Sequence, residues 1–248
     1  MKLLLTGATG VAGLAVYRAA LQDAAVTHIT ILSRRPVPSW AVLPPDAPAK
    51  TTVILHKDFL SYPSDLAHQL AGNDACVWAL GRSVIGMNER DYTEMTHDYP
   101  MAALRALVDA GVGEGRPDGR PFRFVYISGE HADPSGTSTR MWARVKGKAE
   151  VDIAELSDSV PNVKAHILRP GYFFPPSEYP EDRKHQRSMI AGMFDYVGTP
   201  LMNCFIPSLI APTGELGSFA LGLAQGRWPG QVIFRNAEMR QLMKATSE

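Results

Sequence analysis

The sequence predicts an α/β fold: a doubly wound parallel sheet with helices on both faces. Three observations carry that prediction. The chain opens on a short apolar run, Leu3 to Leu5, and passes through Gly7, Gly10 and Gly13 into an apolar helical pattern (Val11, Leu14, Ala15, Tyr17, Ala19, Leu21). Short apolar runs and helical patterns then alternate along most of the chain, as they must when parallel strands are joined by right-handed helical crossovers. The length of 248 residues suits one domain, residues 1–248, with a core large enough to stand alone.

The elements follow in order. His28 to Leu32 reads as a second strand, closed by Ser33-Arg34-Arg35. Residues 36–50 hold five prolines and no periodicity, which predicts a surface loop. Val53 to Leu55 predicts a third strand, followed by Lys57-Asp58-Phe59 and a helix near Ser64 to Leu70. Ala75 to Ala79 predicts a fourth. Glu89 to Ala110 is a long helical pattern with Met95, Tyr99, Ala102, Ala103, Ala106 and Leu107 on one face. Phe124 to Ile127 predicts a fifth strand, leading into Ser128 and a polar loop. A helix is expected over about Thr139 to Leu156, a sixth strand over Val163 to Leu168, a helix over Ser218 to Ala224 and a last short strand over Val232 to Phe234.

Composition narrows the class. Lys and Arg number 25, Asp and Glu 25, so the net charge is zero and bulk electrostatics point to neither nucleic acid nor a membrane surface. No apolar run is long enough to span a bilayer. The apolar start is one strand long and lacks a signal-peptide cleavage region. Cys76 and Cys204 lie in apolar contexts, which predicts free buried thiols in a reducing, cytoplasmic setting. The seven histidines are scattered, and no metal site is expected.

Ligands of such sheets sit beyond the carboxyl ends of the strands. The glycine turn is the first of those ends. One glycine allows a tight turn, one lets the backbone approach a pyrophosphate, and one lets the helix pack on its strand. The helix N-terminus adds free N–H groups and partial positive charge. The second end decides the nucleotide. An acid there accepts from the ribose 2′-hydroxyl of NAD. Here Ser33, Arg34 and Arg35 occupy the place. A hydroxyl and two guanidinium groups suit a 2′-phosphate, which favours NADP(H) over NAD(H). Asp58 is expected to accept from the adenine amino group, with Phe59 bordering the ring. Ala79 to Ser83 and Ser128 to His131 form two further strand ends.

The chain resembles the short-chain dehydrogenase/reductase superfamily in its atypical branch, and so a Rossmann-type fold. Thr6-Gly7-x-x-Gly10-x-x-Gly13 is that branch's spelling of the nucleotide loop. It is most similar to the Tat-interacting-protein oxidoreductase family, with NmrA-like proteins a step further. The carrying segments are Ala79-Leu80-Gly81-Arg82-Ser83, His97-Asp98-Tyr99, Tyr126-Ile127-Ser128-Gly129, Arg144 to Glu150 and Leu168-Arg169-Pro170-Gly171. They lie in family order from Lys2 to about Leu242. The resemblance implies nucleotide contacts at Gly7, Thr9, Gly10, Val11, Gly13, Ser33, Arg34, Arg35, Asp58, Phe59, Ala79, Leu80, Gly81, Lys146 and Pro170. It also implies an oxidoreductase acting on a small organic carbonyl or alcohol.

The family's catalytic set is a Ser or Thr after the fifth strand and Tyr-x-x-x-Lys on the next helix. Residues four apart share a helix face. The lysine lowers the phenol pKa and holds the nicotinamide ribose, the phenol passes a proton to or from the substrate oxygen, and the serine orients the carbonyl. Ser128 and Lys146 match. Four residues before Lys146 stands Trp142, whose indole N–H donates but has no useful acidity. Three readings follow. Trp142 walls a pocket while another group serves as acid: Tyr172 first, with His131 and Glu130 behind it. Or the protein binds NADPH without chemistry, as a redox sensor or interaction partner. Or the scaffold runs a non-redox isomerisation, cyclisation or elimination.

Residues 171–212 are rich in proline and aromatics, among them Tyr172, Phe173, Phe174, Tyr179, Phe194, Tyr196 and Phe205. They are expected to cover the nicotinamide end and wall a substrate pocket. Met87, Met95, Met189 and Met193 suit either core or pocket lining. Glu181-Asp182-Arg183-Lys184-His185 reads as a solvated loop or helix start without chemistry. A monomer or homodimer is expected.

Overall fold

The computed structural model describes residues 1–116, 119–186 and 209–247. Cys204, Met189, Met193, Phe194, Tyr196 and Phe205, and the middle of the expected covering segment, lie outside the described residues. The elements are β1 (Lys2–Thr6), α1 (Val11–Gln22), β2 (His28–Ser33), α2 (Ala47–Lys50), β3 (Thr51–Leu55), α3 (Ser64–Ala71), β4 (Ala75–Trp78), α4 (Glu89–Thr93), α5 (Tyr99–Asp109), β5 (Phe122–Ile127), α6 (Met141–Asp158), β6 (Val163–Arg169), α7 (Pro180–Gln186), α8 (Thr213–Gln225), β7 (Ile233–Arg235) and α9 (Asn236–Ser247).

The strands form one seven-stranded sheet in the order β3-β2-β1-β4-β5-β6-β7. Every neighbouring pair is parallel. The order reverses beside β1, so the carboxyl ends of β1 and β4 open a crevice where a ligand can enter. Alternation along the strands divides the core in two. Leu3 and Leu5 face one layer with Val16, Ile29, Ile31, Phe219 and Phe234. Leu4 faces the other with Trp78, Phe124, Leu104 and Ile153. Leu3 and Leu5 have no solvent exposure, and burying each contributes about 1.5–3 kcal/mol.

The expected long helix over Glu89 to Ala110 is present but broken in phase. Asn88 caps α4 by accepting from the Asp91 amide at 2.9 Å. The chain then takes a wide π-turn over Glu94–Asp98 before α5. Pro100 explains the turn: it brings no N–H, and its ring crowds the carbonyl four residues back. That carbonyl, of Thr96, accepts from the Tyr126 hydroxyl of β5 at 2.8 Å.

Two elements escape the sequence reading, and a third is open there between a loop and a helix start. The proline loop contains the short α2, with Pro48 near its start. The charge run at 181–185 lies in α7. Beyond β7, α9 is mostly polar but turns the fully buried Met239 inward. β3 begins at Thr51 rather than Val53, because two threonines on an edge strand hide the apolar signal.

Candidate functional site

Three strand ends meet at the crevice. At the end of β1, Gly7 takes a positive φ of 71°, and a Cβ there would lie 2.4 Å from the Ala79 carbonyl oxygen. At Gly13 a Cβ would lie 2.0 Å from the Gly7 carbonyl oxygen. These two glycines hold the turn against β4 and α1 against the turn. Gly10 differs. It is exposed, and a Cβ there would meet the Gly7 oxygen at 3.4 Å, an ordinary contact. Its bareness serves the open side of the loop. The Thr6 hydroxyl accepts from the Leu80 amide at 3.2 Å and ties the two strand ends together. The amides of Val11, Ala12 and Gly13 begin α1 and have no partner within the helix.

A cavity of about 240 Å³ lies on this loop, lined by Gly7, Thr9, Gly10, Ser33, Arg34, Arg35, Ala79, Leu80, Gly81, Arg82 and Met95. The side chains of Arg34 and Arg35 are exposed, and Ser33 beneath them is buried. The Ser33 hydroxyl accepts weakly from the Arg35 amide at 3.4 Å. The cavity therefore joins a glycine turn with free amides to a pair of guanidinium groups, a donor set for phosphates. Met95, which the sequence leaves open between core and pocket lining, stands in the π-turn and belongs to this lining.

The expected contact of Phe59 with the adenine ring needs correction. Phe59 has no exposure: its ring packs against Trp78 and Tyr99 at 6.0 and 5.8 Å in the core, so it offers no face to a base. Asp58 is exposed, but its carboxylate accepts from the Leu60 amide at 3.0 Å and closes a turn. Met95, Leu80 and Ala79 are the apolar residues that line the cavity.

At the far side of the crevice, α6 presents Lys146 to the end of β5. The Lys146 ammonium donates to the Ser128 carbonyl oxygen at 2.6 Å. Burial lowers its pKa from 10.5 to about 8, against the opposing pull of the Glu150 carboxylate. The Ser128 hydroxyl points elsewhere: it donates to Glu150 Oε1 at 2.5 Å. Glu150 is 2% exposed and pairs with Arg169, whose Nε lies 3.0 and 3.1 Å from the two carboxylate oxygens and whose Nη2 also donates. Arg169 is held above its ordinary pKa by that carboxylate. The sequence reading placed Ser128 as a substrate-orienting group and missed this buried Ser–Glu–Arg chain. Its signal was present: Glu150 follows Lys146 by one helical turn and so shares its face.

Trp142 is partly buried on the same helix. Tyr172 is held by backbone bonds, its amide donating to Leu209 at 2.7 Å and its carbonyl accepting from Ala211 at 2.9 Å. Its ring lies against Phe174 at 6.1 Å. Pro170 is buried, and its carbonyl accepts from the Glu130 amide at 2.9 Å. Glu130 is removed from the list of spare acids. Its carboxylate accepts from Arg235 Nε at 2.7 Å and caps α9 through the Asn236 amide at 3.1 Å. His131 is exposed with a positive φ of 66°.

The charge run also needs correction. Asp182 is 1% exposed and forms a two-point ion pair with the buried Arg18 of α1, at 2.6 and 3.0 Å. The Tyr179 ring lies 3.6 Å from the Arg18 guanidinium carbon. His185 stacks on Trp40 of the proline loop at 4.9 Å. Gln186 donates to the Thr9 carbonyl oxygen of the glycine turn at 3.3 Å. Thus α7 is strapped beside the cavity.

Among the described residues no helix is long and apolar enough to cross a membrane. No protein-family model matches the chain. It is 30% identical over 156 residues to the leucinostatins biosynthesis cluster protein T of Purpureocillium lilacinum, covering 63% of this chain and 52% of that one. It is 30% identical over 169 residues to protein fmp52, mitochondrial, of Emericella nidulans, covering 67% and 64%. The chain thus matches about half to two thirds of these relatives' length. Solved structures share the fold: the reductase domain of PhqB from Penicillium fellutanum (TM-score 0.66, 18% identity, 98% of this chain and 69% of that one); a 3-oxoacyl-[acyl-carrier protein] reductase from Brucella melitensis in complex with NAD (0.64, 15%, 95% and 94%); and L-sorbose reductase from Gluconobacter frateurii complexed with NADPH and L-sorbose (0.67, 16%, 96% and 95%). These neighbours are short-chain dehydrogenase/reductase-type oxidoreductases, and the chain has their Rossmann-type fold.

Proposed function

We propose that this protein is an NADP(H)-dependent oxidoreductase of the atypical short-chain dehydrogenase/reductase kind, acting on a small organic carbonyl or alcohol. One observation carries the reading: the cavity that unites the glycine turn with Arg34 and Arg35. Gly10 leaves its open side clear for a pyrophosphate, and the two exposed guanidiniums suit a 2′-phosphate. When bound there, the cofactor supplies or accepts a hydride. The protein's own residues do the rest. Lys146, anchored on the Ser128 carbonyl, keeps further ammonium protons for the ribose hydroxyls. The Ser128 hydroxyl orients a substrate carbonyl when it turns from Glu150. Tyr172 is the proton donor in place of a phenol at position 142. The relative named for a biosynthesis cluster and the neighbour holding L-sorbose accord with a small-molecule substrate. A cytoplasmic location belongs to the same reading, and cell fractionation checks it.

The test has two stages. Calorimetric titration should show tighter binding of NADPH than NADH; equal affinities would remove the arginine argument. NADPH oxidation against a panel of aldehydes, ketones and quinones should then reveal turnover.

A second reading has its own support. Trp142 stands where the family's phenol would be, and the Ser128 hydroxyl is engaged by Glu150. Both features suit an NADPH-binding sensor, or a non-redox catalyst on the same scaffold. Tight NADPH binding without oxidation across the panel would favour the sensor. A protein partner recovered only with, or only without, NADPH would then be expected, because coupling between two ligands is reciprocal.

A further inference from the structure

The opposite end of the sheet carries a second cleft. It lies at the amino ends of β1, β4 and β5, away from the nucleotide cavity, and encloses about 480 Å³. Its charged lining is the Met1 ammonium, Arg116, Arg120, Arg123 and Arg227 against Asp23 and Asp74. The two carboxylates are already engaged. Asp74 accepts from the Lys2 amide at 2.7 Å and from Arg116 at 3.2 Å. Asp23 accepts from the Ala25 amide at 2.8 Å and from Gln225 at 2.7 Å. Arg116 is spent on structure, donating to the carbonyls of Asn73, Asp74, Val112 and Arg120.

Arg123 is different. Its Nε is buried and has no hydrogen-bond partner among the described residues. Its Nη1 reaches the Pro121 carbonyl at 3.4 Å, a weak contact. The guanidinium lies over Gly226, where a Cβ would come within 2.4 Å of it. Burial and the like charges of Arg116 and Arg120 lower its pKa. An unpaired donor among gathered guanidiniums is costly unless an anion relieves it. Arg227, exposed on the rim, faces the same cleft beside Asp23, whose carboxylate feels its charge.

We propose that this cleft is an anion-binding site, taking a pyrophosphate or organic diphosphate between Arg123 and Arg227. The volume lies in the range of small-molecule pockets and exceeds what a lone halide needs. Planar guanidinium forks match phosphate oxygens in pairs. The site is separate from the nucleotide cavity and does not depend on the reading proposed for it.

The test uses the whole 248-residue chain and pyrophosphate as probe, read by calorimetry and 31P NMR, with chloride at matched ionic strength as control. Saturable binding is expected in the wild type and in Gly10→Val, which blocks the glycine turn. Arg227→Gln, an exposed change, should weaken it about tenfold, the size of one hydrogen bond to a charged group. Arg123→Gln should weaken it at least as much. Binding lost in Gly10→Val but kept in Arg227→Gln would place the probe in the nucleotide cavity and overturn the proposal. So would an absence of saturable binding, or an equal response to chloride. Tight binding of citrate with none of pyrophosphate would overturn the assignment to phosphates.

Discussion

Ser128 and Lys146 meet through the wrong atom for a conventional catalytic pair: the ammonium grips the serine's carbonyl oxygen at 2.6 Å, while the hydroxyl donates to Glu150. The lysine is thus fixed by backbone, and the serine by a buried carboxylate. A substrate that needs the hydroxyl must draw it from Glu150, whose pairing with Arg169 persists without it. Glu150→Gln should leave the fold weakened and raise KM for a carbonyl substrate more than it lowers NADPH affinity. Parallel binding and steady-state measurements would separate the two.

Lys146 gives a pH signature. With its pKa near 8, the ammonium is lost as pH rises through that value. NADPH affinity should fall between about pH 7 and 9, and Lys146→Met should flatten the profile at the weaker level. Stability moves the other way. The folded pKa is depressed below the ordinary 10.5, so between about pH 8 and 10.5 the unfolded chain binds a proton that the native chain sheds. The contribution of Lys146 to stability therefore rises with pH across that window. Urea midpoints of wild type and Lys146→Met at pH 7.5 and 9.5 should show the difference.

The proposed preference for NADPH rests on Arg34 and Arg35. Replacing both with alanine should cost about 1–3 kcal/mol in NADPH affinity and leave NADH almost unchanged. Calorimetry of both nucleotides on the same variant is the check. A parallel loss for both would mean that the arginines serve the turn rather than the 2′-phosphate.

The glycine turn separates binding from folding. Gly10→Val should fold, since its Cβ has space, and should lose NADPH binding. Gly13→Val should fail to fold or melt far lower, because its Cβ would strike the Gly7 carbonyl. Circular dichroism and nucleotide titration of the two variants test the distinction.

Catalysis without a phenol at 142 makes a sharp comparison. Tyr172→Phe should lower kcat with little change in KM if that hydroxyl works in the transition state. Trp142→Phe should keep much of the turnover. An unchanged kcat in Tyr172→Phe would reduce Tyr172 to a pocket wall.

The sheet was legible because its central strands are buried on both faces and read as short apolar runs, as Leu3 to Leu5 shows. The glycine turn was legible because the tight turn at Gly7 and the close approach at Gly13 each require a glycine at a fixed place. Phe59 misled because a residue beside a strand end can turn its ring either to the ligand or inward, and local sequence does not set that choice. Asp182 misled for another reason. Its run of charges has the composition of a solvated surface, and its partner Arg18 lies 164 residues away. Glu150 was within one turn of Lys146, yet its bond to Ser128 requires the crossover from β5 to α6 to be closed. Long-range pairings of this kind leave no local pattern.

The wide turn before Pro100 has a consequence for insertions and deletions. An inserted residue accommodated as a π-turn leaves the helix on either side in its old phase. Deleting one residue from 94–98 would therefore keep Met101, Leu104 and Leu107 on the core, but would drive the proline ring into the preceding carbonyl at a cost of about 3 kcal/mol or more. Pro100→Ala alone removes the clash that the extra residue relieves. The two changes belong together: the double variant should be more stable than the sum of the singles predicts, and so the length of this segment and the identity of residue 100 can change only in concert.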